Sequence, residues 1–292
     1  MVRWSTLVTM SRGNAPPATS VAADVRDLYI TLLKKCLTMN LWDAKDGSQT
    51  QPVPAGIMAK ARKLLKNWTG GQPPAANDPN IDREGGRDWP RLAHTMIGSR
   101  RMNNLQTCIE SVLEQNVPGD LIETGVWRGG ACIFMRGVLR AYGVNDRRVW
   151  VADSFEGLPP PNPGRYPADA DDPHHEIKVL AVSLEEVKSN FSRYGLLDEQ
   201  VCFLKGWFKD TLPTAPFKRL ALARLDGDMY ESTMDALKQV YPKLAVGGFL
   251  IVDDYGVVPG CRKAVEDYRQ HQGIREPIQP IDGWGVFWQR SR

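Results

Sequence analysis

Residues 219–228 (RLALARLDGD) and 248–254 (GFLIVDD) decide the fold, because each is a short apolar run that ends abruptly in carboxylates. Runs of this kind are strands buried on both faces, and three more precede them at 120–124 (DLIET), 148–152 (RVWVA) and 201–204 (VCFL). Helical patterns alternate with them at about 129–142, 183–194 and 231–242, and a further one follows at about 260–271. Strand–helix alternation of this length predicts a doubly wound parallel α/β sheet. Ile278–Ile281 and Gly285–Gln289 flank Asp282-Gly283, a strong hairpin signal, so the sheet is expected to close with an antiparallel hairpin.

Upstream, a helix from Asn103 carries Leu105, Ile109, Val112 and Leu113 and stops at Pro118-Gly119. Val25, Leu28, Leu32, Leu33 and Cys36 recur at three and four, which predicts a helix over about 21–39. Residues 56–67 read as a second short helix, and 69–90 as a loop rich in Gly and Pro. The expected organisation is a disordered segment over 1–20, a helical cap and loop over 21–90, and the α/β domain over 91–292. Residues 157–175 hold six prolines and no periodic pattern. A long structureless segment inside a compact domain is usually a lid or disordered, and this one follows the second strand directly, where it could close over a ligand.

The chain has 292 residues, 42% hydrophobic and 24% charged, with a formal charge of +3. Opposite charges are interspersed, which argues against a nucleic-acid partner. No run approaches the roughly 20 apolar residues of a membrane span. Five scattered cysteines offer neither a disulfide framework nor a metal motif, so free thiols in the cytoplasm are expected.

In an open α/β sheet, ligands bind beyond the carboxyl ends of the strands. The first strand ends in Glu123 and the turn Gly125-Val126-Trp127-Arg128-Gly129-Gly130, the second in Asp153-Ser154, the fourth in Asp226-Gly227-Asp228, the fifth in Asp253-Asp254. Alone, the first turn reads as a helix entry, since it is not G-x-G-x-x-G in register. Asp153 is placed to accept both ribose hydroxyls of an adenosine; the alternative is a helix cap. Asp226, Asp253 and Asp254 end neighbouring strands about 4.8 Å apart, and three carboxylates at one point repel unless a cation neutralises them. Oxygen donors favour a hard ion: magnesium, calcium or manganese. Asp228, two residues on, stands where a general base belongs, although Asp228 or Ser232 could instead cap the following helix. Trp207 and Phe208 suit an adenine stack and a core equally well.

At these residues the chain resembles the macrocin O-methyltransferase family of class I methyltransferases, which methylate deoxysugars of antibiotics. The resemblance rests on 121–130 (LIETGVWRGG), 153–159 (DSFEGLP), 206–213 (GWFKDTLP), 225–230 (LDGDMY) and 252–255 (VDDY), in order, and extends over about 88–290. It implies S-adenosylmethionine held by Glu123, Gly125, Asp153 and Ser154, with adenine contacts near Gly206-Trp207 and a contact from Thr95-Met96. It implies magnesium, with manganese an alternative, on Asp226, Asp253 and Asp254, and Asp228 as base. It also implies a homodimer or higher homo-oligomer and a glycosylated small-molecule acceptor. The rivals are a metal-dependent catechol or phenol O-methyltransferase, an NAD-type oxidoreductase, and a non-catalytic binding module. The broken glycine fingerprint counts against the second, the retained acids against the third.

Overall fold

The computed structural model describes residues 18–42, 83–87 and 90–292. The expected helix at 56–67 and most of the segments expected to be disordered or loop fall outside the described residues.

The five apolar runs form strands β1 (Asp120–Thr124), β2 (Val149–Asp153), β3 (Val201–Lys205), β4 (Leu220–Leu225) and β5 (Leu244–Val252). They pair in parallel in the order β3-β2-β1-β4-β5. After them β7 (Val286–Gln289) runs antiparallel to β5, and a two-residue β6 (Gln279–Pro280) completes the edge. This is the expected doubly wound sheet with its closing hairpin. In the hairpin turn, the Asp282 side chain accepts the backbone N–H of Trp284 and of Gly285, both at 2.8 Å. β5 starts four residues earlier than its apolar run. Gly247 takes a left-handed φ of 84°, and the register with β4 slips there, so the glycine pair makes a kink inside the strand.

The helices are α1 (Ala18–Leu37), α2 (Ser99–Glu114), α3 (Gly130–Ala141), α4 (Leu184–Arg193), the one-turn α5 (Phe208–Thr211), α6 (Tyr230–Val240) and α7 (Pro259–Gln272). One core lies on the α2 and α3 side of the sheet around Leu105, Ile133, Phe134 and Ile251. The other lies on the α6 and α7 side around Leu237, Val265 and Trp288. Two covered faces explain why β4 is buried at every position, including Arg224. Ile30, Leu33 and Leu37 of α1 join the first core. A Cβ at Gly137 would stand 2.2 Å from Leu33 Cδ2, so only glycine lets α1 lie this close on α3. The opposite face of α1 leaves Val25, Leu28 and Leu32 exposed.

Neighbours diverge between β1 and β4: β1 leads through α3 to β2 on one side, while β4 lies on the other. That switch point opens a crevice at the carboxyl ends of the strands. Residues 157–182 run over it with short 3₁₀ turns at Pro167–Asp169, His174–Glu176 and Lys178–Leu180, more order than the proline content suggests.

Candidate active site

A cavity of about 570 Å³ occupies the crevice. Of the residues expected from the sequence, Met96, Gly125, Asp153, Ser154, Trp207, Asp226, Asp228, Asp253 and Asp254 line it. Thr95, Glu123 and Gly206 stand behind the wall. Thr95 is buried, and its hydroxyl accepts the N–H of Ile97. Gly206 supplies the bend after β3 with a φ of 137°. Gly125 sets the central seam: a Cβ there would lie 1.8 Å from the Asp226 carbonyl oxygen, so no other residue lets the β1 and β4 loops meet.

Asp226, Asp253 and Asp254 converge, each offering an oxygen within 4.8 Å of the others. Their neutralisation differs from the sequence reading, in which a cation alone offsets the repulsion. Arg224, buried on β4, forms ion pairs with Glu123, with Asp226 at 2.8 Å and with Asp253 at 2.5 Å. Arg101, buried on α2, pairs with the other oxygen of Asp253, with Asp282 at 3.3 Å, and donates to the Gly85 carbonyl at 3.1 Å. Arg101 also lies 5.4 Å from the ring centroid of Trp284, a cavity-wall residue. Trp288 belongs wholly to the core. Burial alone would lower the pKa of Arg224, but the carboxylates around it raise it further, so its charge is permanent. An arginine flanked by alanine and leucine in a run this apolar was the signal available in the sequence.

Two arginines do not balance this many acids. Burial raises the pKa of Asp226, with Arg224 opposing and Asp253 adding to the shift. Asp254 is raised well above the carboxylate range by burial and then by Asp228, Asp226 and Asp253. Glu123 is pushed up to about 7 by burial, partly offset by Arg224, and accepts the Cys132 thiol at 2.9 Å. It is a counter-ion inside the sheet; its side chain does not reach the cavity.

Asp153 holds the β1 and β2 loops together: Oδ2 accepts the N–H of Val126 and Oδ1 that of Phe155, both at 2.7 Å. Burial raises its pKa and these N–H groups oppose the rise. Ser154 turns into its own loop, donating to the Gly157 carbonyl at 2.7 Å. Trp207 and Phe208, at the start of α5, both line the cavity, and Phe208 is also packed partly against the second core.

Asp228 sits on the cavity rim in a left-handed conformation, φ 53°, and its N–H points at Asp254 Oδ2, 3.3 Å away. Trp127 and Phe155, in the loops after β1 and β2, share this rare conformation, so backbone strain gathers at three strand ends around one crevice. Burial pushes the Asp228 carboxyl up to about 6, with His174 opposing the rise. Neither Asp228 nor Ser232 caps α6. Its free N–H groups are taken by Asp169 of the overlying segment, which accepts from Tyr230 at 2.6 Å and from Glu231 at 3.0 Å.

The family model described as macrocin O-methyltransferase matches residues 26–290. A Streptomyces olivaceus protein named 8-demethyl-8-(2,3-dimethoxy-alpha-L-rhamnosyl)-tetracenomycin-C 4'-O-methyltransferase is 53% identical over 269 residues, covering 92% of this chain and 94% of that protein. Mycinamicin III 3''-O-methyltransferase of Micromonospora griseorubida is 58% identical over 212 residues, 72% of this chain and 83% of its own length. Among solved structures, the O-methyltransferase NovP superposes with a TM-score of 0.76 at 48% identity, covering 91% of this chain and all of that one.

Proposed function

From the premise that this chain belongs to the macrocin O-methyltransferase family, and so is an O-methyltransferase, we propose that it moves a methyl group from S-adenosylmethionine to a sugar hydroxyl of a glycosylated natural product. The observation that carries this reading is the meeting of Asp226, Asp253 and Asp254 on the floor of one cavity with Asp228 on its rim. A relative named for a rhamnosyl-bearing substrate supports a sugar acceptor.

The donor set fits a divalent cation. Its ligand atoms are hard oxygens within 4.8 Å of one another, and Arg224 and Arg101 leave part of the negative charge unbalanced. Magnesium, or manganese in its place, would be held by Asp226, Asp253 and Asp254 and would supply the Lewis acidity that makes a neutral hydroxyl easier to ionise. S-Adenosylmethionine would supply the electrophilic methyl.

The chain's own residues do the rest. Asp153, fixed by two backbone N–H groups, keeps lone pairs for the ribose hydroxyls. Trp207 offers a flat wall to the adenine. Arg224 and Arg101 keep Asp226 and Asp253 in place, so little reorganisation is needed when the acceptor binds. Asp228 takes the hydroxyl proton on its carboxylate as the oxygen attacks the methyl, and its raised pKa suits a base near neutrality. The segment over the cavity acts as a lid that excludes water.

Mass spectrometry of a reaction with S-adenosylmethionine, magnesium and a panel of rhamnosylated polyketides, free deoxysugars and catechols tests this. One methyl gained by a glycosylated acceptor, and lost on adding chelator, is the expected result. Methylation of catechols alone would overturn the sugar assignment, and turnover indifferent to chelator would overturn the ion. We also propose a homodimer with α1 in its interface, supported by the exposed Val25, Leu28 and Leu32 stripe. Leu28→Glu should shift sedimentation from dimer to monomer; a wild-type protein that sediments as a monomer refutes the pairing.

A further inference from the structure

We propose that His174, borne by the segment over the cavity, is a positioning residue for Asp228, so that the base is held in its working orientation only while that segment is down. The inference rests on the reading of Asp228 as base. His174 Nδ1 lies 2.7 Å from Asp172 Oδ1, and the backbone N–H of His174 donates to the same oxygen at 2.9 Å. The ring is therefore fixed from one side, and its other nitrogen, Nε2, faces Asp228 Oδ1 at 3.8 Å. That separation is an ion-pair distance, longer than a hydrogen bond. All three side chains are largely withdrawn from solvent, at 16% exposure for His174, 10% for Asp172 and 21% for Asp228. A carboxylate therefore stands near each ring nitrogen. With Nδ1 tied to Asp172, the ring presents Nε2 to the Asp228 carboxylate and sets which way that carboxylate faces. Arg224 and Arg101 serve Glu123, Asp226 and Asp253, and neither pairs with Asp228.

A second contact ties the same two stretches together. Asp169, buried and five residues before His174, caps α6 through the N–H groups of Tyr230 and Glu231. Gly260 makes room for it, since a Cβ there would lie 2.7 Å from Asp169 Oδ1. Residues 169–174 thus grip 228–231 at both the backbone and the carboxylate. Lifting the segment would uncap α6 and release Asp228 together, which couples exclusion of water to readiness of the base.

Two substitutions separate positioning from simple cover. In His174→Asn the amide nitrogen stands near Nδ1 and keeps Asp172 but falls short of Asp228. In His174→Gln it reaches toward Nε2. Each is assayed with a rhamnosylated polyketide from the panel, beside calorimetric binding of S-adenosylmethionine. Expected for His174→Asn is a kcat lower by about 10²-fold with KM and cofactor affinity unchanged, since a small misplacement of a reacting group has that scale. His174→Gln should recover much of the loss. Wild-type kcat in His174→Asn, or equal losses in both variants accompanied by weaker cofactor binding, overturns the positioning role. Asp228→Asn keeps the two readings apart. If it turns over normally, the assignment of the base fails; if it is inactive while His174→Asn is active, only the present inference fails.

Discussion

On the floor of the cavity, Asp226 and Asp253 are gripped by the buried guanidinium groups of Arg224 on β4 and Arg101 on α2. On the rim, Asp228 meets a histidine and sits beside a helix whose cap comes from 61 and 62 residues away in sequence. Floor and rim carry the same chemical group under different constraints. On the floor, the Arg224–Asp253 pair belongs to the stability of the sheet, because removing either charge strands the other in a low-dielectric interior. The rim acid instead meets a side chain of the segment that overlies the sheet. The difference teaches that one acid cluster should divide, under mutation, into positions that unfold the protein and positions that only silence it.

Arg224→Met probes that division most strongly. It leaves Glu123, Asp226 and Asp253 without their shared cation, and a loss of about 3–5 kcal/mol is expected in urea unfolding. A variant as stable as the parent would mean the floor is not held by arginine. Asp228→Asn should lower turnover by about 10²–10⁴-fold with no loss of melting temperature. A fall in stability as large as that of Arg224→Met would erase the contrast. Asp169→Ala removes the borrowed cap from α6 and should cost about 1 kcal/mol, within the range of an ordinary N-cap. Unchanged unfolding there would show that the overlying segment adds nothing to the helix.

The smallest effect belongs to an ion pair away from the cavity. Asp198 has its pKa lowered chiefly by hydrogen bonds from Arg136, the closest at 2.6 Å. A depressed folded-state pKa adds stability above the unfolded value, about 3.9, and that stability disappears as pH falls through the folded value. Arg136→Gln should therefore lower stability at neutral pH and match the parent in strong acid. Parallel curves at every pH would show that the pair does not titrate with folding.

Most of the sheet was legible because strand burial on two faces leaves a simple record: apolar runs of four to seven residues, closed by acids or glycine. The hairpin was legible from Asp282-Gly283 for the same local reason. The start of β5 was not, since Gly247 and Gly248 interrupt the apolar run and the strand continues through them only because the pairing with β4 absorbs a slip. At the site, local motifs gave the acids and the glycine turn. They did not give Arg101, Arg224 or His174, because charged residues in a sequence default to solvent, and only the packing of α2, β4 and the overlying segment buries them. Nor could the cap of α6 be read locally, as Asp169 reaches it across a long stretch of chain. What escaped the sequence is the set of charge partners, which is a property of tertiary contact.

Asp228 stands in a backbone conformation that suits glycine, and its carboxyl is buried enough to be pushed up to about 6. Each circumstance costs folding free energy, the backbone alone about 1 kcal/mol. Random mutagenesis screened for heat resistance should therefore be drawn to this codon, with Asp228→Gly among the survivors, tougher than the parent and inert. A natural lineage that lost its acceptor would be expected to drift the same way, so a glycine at this position in a relative would mark a retired enzyme.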